Sequence, residues 1–227
     1  MDELTRKNLT RFYIQQVLFL IINGILLFSI SGNLNWMWAW VYLIIYPLYT
    51  AINALILPKE LLAERGKKKT NLKKWDVNFT RLSILPAIGV FIVAALDERY
   101  SWTKDKNLYF HISGLVFYLH GNVIVTWSMY SNRFFSTMVQ IQSERGHRVA
   151  TEGAYRIVRH PGYVGIILNT LATPFFLGSL WALVPAVLLT LLFIGRTYFE
   201  DNMLQLELEN YSEYSQKVRY RLMPGIW

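Results

Sequence analysis

The chain has 227 residues, of which 53% are hydrophobic, 15% aromatic and only 17% charged, against about 25% charged in an ordinary soluble domain. The hydrophobic content excludes a disordered chain, and the lack of cysteine excludes a disulfide scaffold, thiol chemistry and any cysteine-held metal or iron–sulfur site. A net charge of +8 would point to nucleic acid in a soluble protein, but beside a mean hydropathy of +0.26 it points to basic loops facing anionic lipid, with long uncharged stretches between them.

Six such stretches follow in chain order. Phe12–Ile30 comes after Arg6, Lys7 and Arg11. It is longer than the apolar core of a signal peptide and lacks a small-residue cleavage site, so it reads as a retained span. Trp36–Leu57 is the second. Leu82–Leu96 is the third, or Asn78–Leu96 with Arg81 snorkelling. Leu108–Ser131 is the fourth and contains His111 and His120. Pro161–Leu177 and Leu180–Ile194 are the fifth and sixth, separated by Gly178-Ser179. Crossing the hydrocarbon takes about 20 residues, with a range of roughly 17–25. The fifth run lies near the lower limit, and the sixth reaches it by continuing through Arg196 to Phe199.

With the amino terminus in the cytoplasm, 20 of the 23 Lys and Arg residues fall on inside segments. The other three, Arg99, Lys104 and Lys106, fall outside. This asymmetry predicts an all-α integral membrane protein with six spans, both termini in the cytoplasm and the polar carboxy-terminal region on the same side. Trp36, Trp38, Trp40, Trp102 and Trp181 fall near the predicted outer boundaries, as interface anchors or as core aromatics. The last two runs form an antiparallel helical hairpin. Pro161 suits a first helical position, and Pro174 and Pro185 predict kinks within the helices. The basic segment Lys67-Lys68-Lys69 with Lys73-Lys74 reads as an orientation signal rather than a nucleic-acid patch. With no internal repeat, the chain reads as a single membrane domain. Residues 1–131 carry four spans, and 132–227 the region where chemistry sits.

Polar groups bunch in that last region. Arg159-His160-Pro161-Gly162-Tyr163 opens the fifth helix, whose N-terminus carries partial positive charge and free N–H groups suited to a carboxylate or phosphate. Gly162 and Gly165 allow close approach by a ligand or by the neighbouring helix. Arg196 and Glu200, four apart, share one helical face. Ionisable groups at such depth are functional by default, although a self-contained salt bridge anchoring the helix end is the plain alternative.

The stretch Glu152-Gly153-Ala154-Tyr155-Arg156-Ile157-Val158-Arg159-His160-Pro161-Gly162-Tyr163-Val164-Gly165 resembles the isoprenylcysteine carboxyl methyltransferase and phospholipid methyltransferase membrane superfamily. That superfamily shares the pattern G-x-Y-x-x-x-R-H-P-x-Y-x-G, followed by a helical hairpin, an Arg and acidic pair, and a Tyr-rich tail. Here the later parts are Arg196-Thr197-Tyr198-Phe199-Glu200-Asp201, then Tyr211, Tyr214 and Val218–Trp227. The resemblance covers about residues 120–227 and implies S-adenosylmethionine as cofactor, held at the cytoplasmic face.

Carried over by position, the resemblance implies that Gln140 contacts the adenosine side. It implies that His147, Arg148, Val149 and Ala150 line the cofactor through their backbone, and that Tyr155 packs and hydrogen-bonds beside it. His160, Pro161, Gly162 and Tyr163 would wrap its amino-acid end. Glu200 would bind the cofactor, and Arg196 would act on the substrate. The family's acidic pair is often Glu-Glu, so Asp201 departs from it and its role is left open. Arg219 and Arg221 match a subgroup only.

The chemistry agrees with the resemblance. A sulfonium donor carries an already activated methyl group, so no metal is called for. The nucleophile must sit about 3–3.5 Å from the methyl carbon, in line with the leaving sulfur. A prenylcysteine carboxylate is ionised at neutral pH and needs orientation rather than a base, which a planar guanidinium such as that of Arg196 supplies. Glu200 suits the cofactor's ammonium. Arg159 or His160, at the helix mouth, suits its carboxylate.

Several residues also have plain structural readings. His160 caps a helix, Tyr163 is an interface aromatic and His147 is a solvated loop residue. His111 and His120 read as satisfied core or interface histidines. Asn132, Phe134 and Phe135 stand where a substrate entrance would begin. The leading function is methyl transfer to the α-carboxylate of a C-terminal isoprenylated cysteine, a lipidic partner arriving through the bilayer. Methylation of a phospholipid amine or a thiol is second. An NADPH-dependent sterol-type reductase, with Arg145 and Arg148 on a 2′-phosphate, is third. A transporter is disfavoured because the ionisable groups avoid mid-membrane.

Overall fold

The computed structural model describes residues 2–68, 72–104 and 106–227. Among the described residues eight α-helices run in the order α1 (Glu3–Ser31), α2 (Met37–Ile56), α3 (Lys59–Gly66), α4 (Lys74–Tyr100), α5 (Leu108–Ser131), α6 (Pro161–Leu177), α7 (Leu183–Glu207) and α8 (Tyr211–Lys217). No strand occurs among the described residues. The starts and stops follow capping chemistry. Asp2 accepts from the Thr5 N–H at 3.0 Å to open α1, and Asn107 accepts from the Phe110 N–H at 3.0 Å to open α5. Pro161 stands at the first position of α6, where a missing N–H costs nothing. Gly178 ends α6 at φ 83°, and a side chain there would also run into the His111 ring at 2.4 Å.

Helices α1, α2, α4, α5 and α7 are long and apolar enough to cross a membrane; α6 has 17 residues and is shorter. Their outer faces carry exposed Ile14, Leu18, Ile21, Leu55 and Leu85, an apolar surface suited to lipid rather than water. Helices α5 and α6 pack most intimately. A side chain at Gly114 would meet the Phe176 backbone at 2.1 Å, and one at Gly165 would meet the Gly121 carbonyl at 2.6 Å. The neighbouring helix therefore fills the space at Gly165. One core layer gathers Leu27, Tyr42, Val90, Tyr118 and Phe176. A second holds Phe12, Leu57, Leu61, Leu62, Val125 and Met129. A third, under the loop before α6, is Tyr155, Leu208, Tyr211 and Tyr214.

Several expectations change. Pro185 makes no mid-helix kink: α7 starts at Leu183, so the proline sits in its first turn. That shift arises because residues 178–182 form a tight turn in which the Ser179 hydroxyl accepts from the Ala182 N–H. Trp36 is buried and Trp38 stacks on His111 with centroids 4.5 Å apart, so these two are core aromatics, whereas Trp40, Trp102 and Trp181 are exposed. The basic segment 67–74 follows the short helix α3, whose Leu61 and Leu62 bury against Phe12. Of its lysines, Lys67 lies 3.7 Å from both Glu64 and Glu144, and Lys73 pairs with Glu207 at 2.6 Å. These contacts clasp neighbouring elements; Lys69 lies outside the described residues. His111 is buried with Nδ1 3.0 Å from the Phe176 carbonyl, and His120 Nδ1 is 2.7 Å from the Val116 carbonyl, so both are satisfied locally.

At the end of α4 a buried carboxylate ties the connections together. Asp97 accepts from the Thr103 N–H at 2.8 Å, the Thr103 hydroxyl at 2.6 Å and the Ser179 hydroxyl at 2.6 Å. Thr103 Oγ1 in turn accepts from the Leu180 N–H.

Candidate active site

Two buried aspartates build a frame at the opposite end. Asp201, on α7, has no exposed surface. Its Oδ1 accepts from Arg159 Nε at 2.7 Å, the Tyr211 hydroxyl at 2.9 Å and His160 Nε2 at 3.2 Å. Its Oδ2 accepts from Arg221 Nε at 2.8 Å, Gln205 Nε2 at 2.9 Å and the second arm of Arg159 at 3.0 Å. The remaining arm of Arg159 donates to the carbonyls of Val218 and Arg219. Backbone pairing of Arg159 and His160 with Tyr220 and Arg221 completes the stitch. The tail is thus held against the mouth of α6. Because a carboxylate can only accept, His160 Nε2 must carry the proton.

Asp76, in the first turn of α4, is equally buried. It accepts from Arg196 Nε at 2.8 Å and from the Val139 N–H at 2.8 Å. Arg196 also donates to the Thr137 carbonyl at 2.9 Å. Its guanidinium lies between the rings of Phe79, at 4.8 Å, and Tyr163, at 5.5 Å. Edge and face are therefore both fixed, and the second terminal nitrogen has no hydrogen bond among the described residues.

Between these frames lies a cavity of about 240 Å³. Its walls come from α3, the loop 132–150, the start of α6, the C-terminal half of α7 and α8. The Tyr163 hydroxyl donates to Glu200 Oε2, and Glu200 Oε1 has no hydrogen-bond partner among the described residues. On the loop side, Gln142 is buried and its amide donates to the Phe134 carbonyl at 2.7 Å. His147 stacks on Phe134 with centroids 4.6 Å apart and accepts the Gln142 N–H at Nδ1. Burial, reinforced by the Arg145 charge, lowers the His147 pKa to about 4, which fits an imidazole whose Nδ1 is an acceptor. The Tyr155 hydroxyl accepts from Asn132 at 3.2 Å, and its carbonyl accepts from the Tyr214 hydroxyl at 2.7 Å. Burial pushes the Tyr155 phenol well above its ordinary pKa, so it stays protonated.

Of the residues singled out in the sequence, Gln140, His147, Arg148, Val149, Ala150, Tyr155, His160, Gly162, Tyr163, Arg196 and Glu200 all line this cavity, as do Asn132, Phe134 and Phe135. Pro161 does not; it is buried at the start of α6 and shapes the turn. At Gly162 the space goes to the Phe135 ring, which a side chain would meet at 2.6 Å. Arg196 and Glu200 do not pair with each other: the arginine goes to Asp76 and the carboxylate to Tyr163. Arg159 is committed to Asp201 and to tail carbonyls, so it is not free to grip a carboxylate at the helix mouth. Asp76 went unnoticed in the sequence, and a lone acid in a lysine-rich stretch was its only signal. Asp201, left open there, is the hub of the tail.

A family model described as phospholipid methyltransferase matches residues 109–211. The chain is 32% identical over 136 residues to a probable protein-S-isoprenylcysteine O-methyltransferase of Oryza sativa subsp. indica, covering 58% of this chain and 71% of the relative. The chain belongs to the isoprenylcysteine carboxyl methyltransferase and phospholipid methyltransferase superfamily. It is also 29% identical over 139 residues to protein-S-isoprenylcysteine O-methyltransferase B of Arabidopsis thaliana, covering 60% of this chain and 68% of the relative. A Xenopus laevis protein-S-isoprenylcysteine O-methyltransferase matches at 27% over 139 residues, 56% of this chain and 48% of the relative. As a member of this superfamily the protein is a methyltransferase, and the reductase alternative falls. The geometry agrees: Arg145, one of the two arginines that kept the reductase in view, is spent on Gln142 and on the Arg133 carbonyl.

Proposed function

We propose that this chain transfers a methyl group from S-adenosylmethionine to the α-carboxylate of a C-terminal isoprenylated cysteine. The observation that carries the reading is the gathering of Glu200, Tyr163, His160 and Arg196 around one hollow. The donor set suits a sulfonium-bearing amino acid. Glu200 has an oxygen free for an ammonium, and the Gly162 N–H at the start of α6 has no intrahelical acceptor and is available to a carboxylate. The backbone from His147 to Ala150 and the Gln140 amide border the part of the cavity left for the nucleoside.

When bound, S-adenosylmethionine supplies a methyl group already activated on a positively charged sulfur. Arg196 presents its remaining edge to the acceptor carboxylate, with Asp76, Phe79 and Tyr163 fixing its direction. A carboxylate ionised at neutral pH needs no proton removed, so positioning carries the rate. Tyr163 holds Glu200 in place while Asp201 locks His160 and the tail over the site. The distribution of Lys and Arg supports a six-span arrangement with α6 as the short span, both termini and the cavity in the cytoplasm, and residues 132–227 as the catalytic region.

The test is methyl transfer from radiolabelled S-adenosylmethionine to an S-farnesylcysteine analogue, phosphatidylethanolamine and an apolar thiol in parallel. The expected product is a base-labile methyl ester on the first. Label found only on the amine or only on the thiol overturns the carboxylate assignment.

A further inference from the structure

One partly buried cation on the cavity wall plays no part in the two aspartate frames. Arg65, in the last turn of α3, is partly buried and lines the cavity, its guanidinium 5.8 Å from the Phe135 ring. Phe135 fills the space left open at Gly162, so Arg65 stands one aromatic ring away from the mouth of α6. Among the described residues Arg65 makes no ion pair and no side-chain hydrogen bond. Its electrostatic neighbours are the phenols of Tyr49 and Tyr46.

The other arginines of the wall differ. Arg159 is matched by Asp201, Arg196 is matched by Asp76, and Arg148 is exposed. A partly buried charge without a neighbouring anion is costly, and burial lowers the Arg65 pKa. The Arg196–Asp76 pair orients but brings no net charge, whereas an ionised acceptor entering the hollow brings a negative one.

We infer that Arg65 supplies the counter-charge for the acceptor's carboxylate, drawing it to the α3 side of the cavity while Arg196 fixes its plane. This rests on the carboxylate reading above and extends it to a specificity-determining residue outside the carboxy-terminal region. A charge-assisted hydrogen bond is stronger than a neutral one, so the site distinguishes the acid from its neutral methyl ester, which is also the product. Product release follows from the same contact, because esterification removes the charge that Arg65 holds.

The experiment uses the full chain in lipid nanodiscs and measures binding of an S-farnesylcysteine analogue as acid and as methyl ester, together with KM and kcat for the acid. Wild type is expected to bind the acid about tenfold more tightly than the ester, the scale of one charge-assisted contact. Arg65→Met loses that preference and raises KM more than it lowers kcat; Arg65→Lys keeps part of the preference. Affinity for S-adenosylhomocysteine stays at the wild-type value in both variants, which also reports that they fold. Should Arg65→Met not fold, Arg65→Gln takes its place. An acid preference that survives in Arg65→Met or Arg65→Gln overturns the inference alone, as does wild type showing no preference. A wild-type protein that methylates the amine and not the acid overturns the reading beneath it.

Discussion

Both ends of the bundle bury an aspartate with no exposed surface, and the two ends differ in which groups donate hydrogen bonds to it. At the α4 end, Asp97 accepts its hydrogen bonds from neutral donors on short connections, the Thr103 N–H and the hydroxyls of Thr103 and Ser179, with the Lys106 ammonium standing 3.7 Å away. Those hydroxyls pass the bonding on to the next backbone N–H groups. The result is a closed knot. At the other end, Asp76 and Asp201 take guanidinium groups instead, and the frames stand around a cavity. A hydroxyl on a one-carbon stem draws its acceptor close to the backbone, whereas an arginine spans several ångströms and offers a rigid fork. The same buried carboxylate can therefore shut a turn or prop a hollow open, according to the donor it meets.

That contrast is easiest to break at Asp201. Asp201→Ala leaves Arg159 buried without its anion and should cost about 3–5 kcal/mol of stability, with loss of S-adenosylhomocysteine binding. Thermal unfolding in detergent with and without that ligand measures both. If the variant unfolds at the wild-type temperature, the hub is not structural. Arg196→Lys comes next. A lysine cannot hold Asp76 and the Thr137 carbonyl while presenting a planar edge, so turnover should fall about 100-fold, the scale of a small misplacement, with ligand affinity kept. If affinity collapses too, Arg196 belongs to the cofactor's wall.

Asp97→Ala should cost about 1–3 kcal/mol through unsatisfied donors yet leave ligand affinity and turnover unchanged. An equal loss of binding would erase the difference between the two ends. The smallest effect is expected at His147. Its folded pKa of about 4 lies below the ordinary value of 6.5. Its contribution to stability is therefore fully present above pH 6.5 and is lost as pH falls toward 4. His147→Gln should flatten the stability profile across that window. A variant with the wild-type slope there assigns the slope to other groups.

The sequence carried the helices better than the pairings. The bounds of α5 and α6 coincide with uncharged runs because an apolar stretch and its flanking caps are local features. Helix α3 was hidden because its eight residues hold four charges, and Leu61 and Leu62 count only once α1 is beside them. Glu200 and Tyr163 were legible through the family pattern. Their neighbours' loyalties were not: Arg196 finds Asp76 across 120 residues, and Arg159 finds Asp201 across 42. Spacing four apart on one helix made Arg196 and Glu200 look like a pair, and folding supplied better partners for each. Arg65 gave no signal, since an arginine beside a run of lysines reads as part of a solvated loop until its burial is seen.

The central claim is that Glu200, held by Tyr163, binds the amino-acid end of the methyl donor in the cavity under α6 and α7. Calorimetric titration of S-adenosylhomocysteine into the wild type and Glu200→Ala tests it directly. The account predicts micromolar-range binding by wild type, at about −8 kcal/mol, and no measurable binding by a variant whose helical signature is unchanged. Wild-type affinity in Glu200→Ala would contradict it.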